Sequence, residues 1–173
     1  MSKVINIFGG PGIGKTTLAA EIFVILKKMG LEAVNIGEYA KDKTWEKNHI
    51  ALQNQLYIFG HQHYMMYLVN NKVDFMVCDS PLLLSALYSG LGSDDTLYKL
   101  IIEEFNKFDN VLNILLQRSF DYSPIGRNQN LEEAIEVDEK MKKLLDDNNI
   151  EYIEYNVKED TDDIIYEKIM KNI

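Results

Sequence analysis

The octet Gly9-Gly10-Pro11-Gly12-Ile13-Gly14-Lys15-Thr16 constrains this chain more than any other stretch, because it joins a short apolar segment to an amphipathic helical pattern. Upstream, Val4-Ile5-Asn6-Ile7-Phe8 is β-branched and mostly apolar, as a buried parallel strand requires. Downstream, Leu18, Ala19, Ile22, Phe23, Ile25, Leu26 and Met29 recur at helical spacing, and Gly30 supplies the stop. A strand that turns through glycines into a helix commits the neighbouring chain to an α/β layout. It also builds an anion site. The glycines let the backbone wrap closely, Lys15 reaches the β- and γ-phosphates of a nucleoside triphosphate, and the Thr16 hydroxyl offers itself to Mg²⁺. The positive end of the following helix adds to the same field. Gly9 through Thr17, Ile13 included, are therefore the expected triphosphate-binding residues.

The rest of the chain alternates strand and helix patterns with no internal repeat and no low-complexity tract. Periodicity predicts strands over 3–8, 33–36, 73–78, 111–116 and 151–155. Helices are expected over 15–29, 82–89, 94–108 and 131–147, with a terminal helix from about 161, and a long helical region is expected over 45–70, bent near Gly60. Five strands with helical crossovers predict a three-layer α/β sandwich around a parallel sheet, with ligands beyond the carboxyl ends of the strands. At 173 residues the chain is expected to form one domain over 1–173, with a loop over 118–130.

Composition narrows the partners. A net charge of −9 disfavours broad attraction to nucleic acid and suits a small ligand. The N-terminus has no leader pattern and no apolar run approaches the roughly 20 residues of a membrane span, so a soluble, cytoplasmic protein is expected. Cys78 is the single cysteine, which excludes an internal disulfide and a cysteine-built zinc site. The oligomeric state is not legible.

Four further positions fit chemistry at the phosphate end of the sheet. Asp79 closes the apolar strand Val73 to Cys78 and is the expected acidic partner of Mg²⁺, with Asp79 or Glu38 orienting the acceptor; it is also placed to cap the next helix, with Pro81 in the first turn. Glu38 follows the second strand and is placed to accept a proton from a substrate hydroxyl or to orient it. Of eighteen basic residues only Arg118 and Arg127 are arginines, and both fall in the 118–130 loop, where guanidinium groups match phosphate oxygens and stabilise charge developing in transfer. The segment 45–70 carries His49, His61 and His63 with Trp45, Gln53, Gln55, Tyr57, Gln62 and Tyr64, a candidate substrate wall or simply core and solvated positions. His61 and His63 lie two apart on a helix, a spacing that argues against a shared metal. Asn156 and Val157 are positional candidates for an adenine pocket.

With these residues in place the sequence resembles P-loop kinases of the nucleoside and nucleotide kinase fold, in particular the AAA-labelled ATP-binding group similar to ribosylnicotinamide kinase domains and bacteriophage nucleotide kinases. The carriers are Gly9 to Thr17, Glu38-Tyr39-Ala40-Lys41, Asp79-Ser80-Pro81, and Arg118, Tyr122, Gly126, Arg127 and Gln129 before a helix. The resemblance covers nearly the whole chain and departs from the group at Lys41 and Ser80, where relatives often carry arginine and a basic residue. It implies a P-loop NTPase fold of the nucleotide-kinase type, ATP and Mg²⁺ as cofactors, a closing lid at about 118–130, and transfer of the γ-phosphoryl to a hydroxyl or phosphate of a nucleoside-like acceptor. A hydroxymethylated pyrimidine carried on DNA is an alternative acceptor. An ATPase or nucleotide switch with no acceptor is the alternative from another class.

Overall fold

A computed structural model describes residues 1–118, 130–156, 160 and 162–171. Five parallel strands form one sheet in the order β2-β3-β1-β4-β5. They are β1 (Lys3–Phe8), β2 (Ala33–Ile36), β3 (Phe75–Cys78), β4 (Asp109–Leu116) and β5 (Ile153–Tyr155). Eight helices accompany them among the described residues: α1 (Lys15–Lys28), α2 (Tyr39–Trp45), α3 (His49–Gln53), α4 (Gln55–Val69), α5 (Leu83–Ser89), α6 (Thr96–Asn106), α7 (Leu131–Asp147) and α8 (Asp162–Met170). No helix among these residues is long and apolar enough to cross a membrane.

Strand alternation divides the core into two layers. On β1, Ile5 and Ile7 face α1 and α8, where they meet Leu18, Ile22, Leu26, Ile165 and Ile169. Val4 and Phe8 face the other way, toward Phe59 and Met66 of α4, Leu83 of α5, Phe105 of α6 and Met141 of α7. Both faces of the sheet are thus covered by apolar helix stripes, which is why the parallel strands read as continuous hydrophobic runs rather than alternating ones. Asn6 is the polar exception on the second face. Its side-chain Nδ2 donates to Oδ1 of Asn110 and Oδ1 of Asn113, 2.9 Å each, linking β1 to β4 inside the sheet.

The expected sandwich is present, but the long helix over 45–70 is not. Only its first residue, Trp45, belongs to a helix that precedes the breaks, as the last residue of α2, which begins at Tyr39; the chain then breaks twice, before α3 and before α4. Lys47 takes a left-handed turn with φ 55°, Asn48 caps α3 by accepting from the Ala51 N–H, and Asn54 caps α4 by accepting from the Tyr57 N–H. Gly60, the expected bend, lies inside α4 instead. Strand and helix limits otherwise differ by a few residues: β3 begins at Phe75, β4 at Asp109, β5 at Ile153, α6 at Thr96 and α8 at Asp162. The expected 118–130 loop lies outside the described residues except for its two ends.

Candidate functional site

The carboxyl ends of β1, β2 and β3 bring four of the candidate residues to one place. Between β1 and α1 the chain passes through Gly9, Gly12 and Gly14, all at positive φ, and Gly14 sits at the helix N-cap with φ 106°, a conformation that L side chains rarely adopt. The loop returns Lys15 onto itself: its ammonium donates to the carbonyl oxygens of Gly9, at 2.8 Å, and Gly10, at 2.9 Å. Loss of hydration is the largest influence on this group and lowers its pKa from the ordinary 10.5. The carboxylates of Glu38, Asp79 and Asp138 pull it back up, and Arg118 pushes it down. A cation with three carboxylates in its field and two carbonyls in contact is ready to exchange partners for a phosphate.

Asp79 follows β3 and is almost fully buried. Its Oδ2 accepts a hydrogen bond from the Thr16 hydroxyl at 2.9 Å, while Oδ1, equally buried, has no hydrogen-bond partner among the described residues. An orphaned carboxylate oxygen in such a place costs free energy unless a cation or water satisfies it. The helix-capping role open to Asp79 is not taken up, because α5 begins at Leu83 behind Leu82 and has no side-chain cap. Thr16 and Asp79, the two residues singled out for Mg²⁺, therefore stand in direct contact.

Glu38 lies at the N-cap of α2, yet its side chain caps no backbone group there. The two peptide groups beside it are held by Gln62 of α4, whose amide donates to the Gly37 carbonyl at 3.1 Å and accepts from the Tyr39 N–H at 3.4 Å. Gln62 thus holds the Glu38 turn while also lining the adjoining cavity, which has a volume of about 600 Å³ and opens between this turn and the phosphate loop. Gly12, Lys15, Thr16 and Glu38 line it, together with Trp45, Gln53, Gln55, Ile58, Leu84 and Tyr88. Tyr57 and Tyr64, also named for the substrate wall, do not line it. His61 stacks on Tyr39 at 4.1 Å, whereas His63 pairs with Glu104 at 3.1 Å, so the two histidines serve different neighbours.

Arg118 sits against the loop but not in the cavity. Its Nε donates to Asp138 at 2.8 Å, and both terminal nitrogens donate to the Pro11 carbonyl at 3.1 Å. Arg127, Tyr122, Gly126, Gln129 and Val157 lie outside the described residues. Asp138 is the residue that sequence reasoning missed: it reads as one more acid on a charged helix. Its signal is positional, since it falls in register with Ala134, Met141 and Leu145, all fully buried on the inward face of α7.

With this geometry described, the resemblances are informative. A family model described as an AAA domain (AAA_28) matches residues 4–163. No curated protein gives a match. Among solved structures, the NadR protein in complex with NR is similar with a TM-score of 0.69 at 17% identity, over 93% of this chain and 45% of that one. This chain therefore spans under half the length of that protein. A thymidylate kinase from Ehrlichia chaffeensis is similar with a TM-score of 0.64 at 14% identity, over 99% and 97% of the two chains. The deoxyadenosine kinase from M. mycoides with bound dATP is similar with a TM-score of 0.55 at 19% identity, over 99% and 98%. At these identities the likeness is one of fold, a P-loop kinase-like α/β sandwich.

Proposed function

The chain belongs to the AAA_28 family of AAA domains, and we propose that it is an ATP-dependent kinase that phosphorylates an alcohol oxygen of a nucleoside-like acceptor. The observation that carries this reading is the Thr16–Asp79 contact beside Lys15, at a cavity that Lys15, Thr16 and Glu38 line together. Similar folds that include a thymidylate kinase and a dATP-bound deoxyadenosine kinase support it.

Asp79 Oδ1, without a hydrogen-bond partner among the described residues and next to a threonine hydroxyl, fits a hard divalent cation, which accepts oxygen ligands. Thr16 and Asp79 would hold Mg²⁺, directly or through water. When bound, Mg²⁺ supplies charge neutralisation at the β- and γ-phosphate oxygens. The loop backbone from Gly9 to Thr17 and the Lys15 ammonium bind the triphosphate tail and fix the γ-phosphorus. The acceptor oxygen attacks phosphorus as the bond to the β,γ-bridging oxygen breaks, ADP leaves, and the hydroxyl proton passes to the Glu38 carboxylate.

An alcohol suits this cavity better than a phosphate acceptor. Among the described residues that line it, Lys15 and Lys41 are the cations, and Arg118 is engaged with Asp138 and Pro11 outside it. A second phosphate would bring two negative charges toward Glu38, with no arginine among the described residues lining the cavity to serve as a bidentate partner. An alcohol has a proton to lose and so makes use of that carboxylate.

The test is transfer from γ-labelled ATP in Mg²⁺ buffer to a panel of nucleosides and the matching 5′-monophosphates. Label is expected on a nucleoside hydroxyl, at a rate well above loss to water. Label found only as inorganic phosphate would make the protein an ATPase, and preference for the monophosphates would overturn the alcohol assignment.

A further inference from the structure

One anionic contact at the phosphate loop has no part in the reaction just described. Asp138 places a partly buried carboxylate, its side chain 21% exposed, on the inward face of α7, one turn from the buried Ala134, where leaving an oxygen without a partner is costly. Both oxygens have one: Oδ1 accepts from the Gly10 N–H at 2.6 Å, and Oδ2 accepts from Arg118 Nε at 2.8 Å. Arg118 in turn donates to the Pro11 carbonyl through both terminal nitrogens, at 3.1 Å, and reaches the Ala134 carbonyl at 3.5 Å. Two successive loop residues are therefore gripped from outside the cavity, one by its N–H and one by its C=O. The fit is close enough to dictate residue choice. A Cβ on Gly10 would lie 2.5 Å from Asp138 Oδ1 and 2.8 Å from the Ala134 backbone oxygen, so glycine is needed at this point for approach, not for backbone conformation.

We propose that Asp138 is a positioning residue: with Arg118 it presets the backbone of the phosphate loop for the triphosphate, and Arg118 acts through the loop rather than on the transferring group. The inference rests on the reading that the loop binds ATP. It has a sign that sets it apart from simple electrostatics. Asp138 is a negative charge within the field of Lys15, so through space alone it repels a triphosphate, and removing it would tighten binding. As a brace it does the opposite, because a loosened loop must be ordered at the moment of binding.

Asp138→Asn is the discriminating variant. It keeps the shape and an oxygen for Gly10 but turns an amide against Arg118 Nε. The dissociation constant of Mg·ATP, measured by direct titration on folded protein, is expected to rise about tenfold or more, with KM for ATP rising in step and kcat changing less. Arg118→Lys is expected to weaken ATP similarly, and the double variant to be no worse than the worse single, as for two residues acting as one unit. Amide exchange over residues 9–17 in the absence of nucleotide is expected to quicken in both variants. Unchanged or tighter ATP binding by Asp138→Asn, or unchanged exchange in the loop, overturns the proposal while leaving the kinase reading intact. A wild-type chain that binds no ATP overturns the kinase reading as well.

Discussion

Lys15 and Asp79 both carry polar atoms that the fold leaves ready for an ion. Asp79 has one oxygen on Thr16 and one with no partner among the described residues, so its carboxylate is expected to govern metal dependence more than folding. Asp79→Asn keeps an acceptor for Thr16 and removes the charge. The Mg²⁺ concentration that half-activates turnover should then rise about 10–100-fold; an unchanged Mg²⁺ titration would contradict the assignment. Lys15 is testable through linkage. Desolvation holds its pKa below 10.5 in the folded chain, so between that lowered value and 10.5 the unfolded chain binds a proton that the folded chain has released. Stability contributed by this residue therefore rises with pH through that window. Urea unfolding of wild type and Lys15→Met from about pH 8 to about pH 10.5 should show the wild type gaining on the variant. A difference that stays constant with pH would refute it. Both residues were legible in the sequence because a strand end and a glycine turn fix where they must lie. Asp138 was not, because an acid on a helix rich in Glu and Lys looks solvated until the packing of α7 against the loop is known.

Among the elements, the helical region after β2 shows where periodicity misleads. Trp45, Leu52, Ile58 and their neighbours keep a helical rhythm across two breaks, while Asn48 and Asn54 act as caps by accepting from backbone N–H groups three residues on. A cap and an interior asparagine are the same letter, so only the three-dimensional path separates them. Gly60 misled in the other direction. It sits inside α4 at a φ that other residues adopt, and a Cβ built there meets nothing within 4 Å. Gly60→Ala should therefore stabilise the protein by about 0.5–1 kcal/mol, by restricting the unfolded chain. Denaturant unfolding is the check, and destabilisation would mean that α4 needs the glycine. The consequence for the site is direct, since these breaks let α2, α3 and α4 fold around the cavity and let Gln62 hold the Glu38 turn.

Taken whole, the molecule places a local anion site in a chain of net charge −9. The overall charge opposes a triphosphate, so under the proposed reading attraction comes from the loop amides, the Lys15 ammonium and the N-terminus of α1, all at one end of the β2-β3-β1-β4-β5 sheet. The strand order was not readable from the sequence, because it depends on which crossovers pack on which face. The alternation of elements was readable, and so was the end of the sheet where the candidate residues gather. The central claim is that this end of the sheet clamps the tail of ATP through Lys15, and calorimetric titration of Mg·ATP into wild type and Lys15→Ala tests it most directly. Saturable one-site binding by the wild type, weakened by at least about two orders of magnitude in the variant, is the predicted result; no binding by the wild type, or equal binding by a folded Lys15→Ala, would contradict the account.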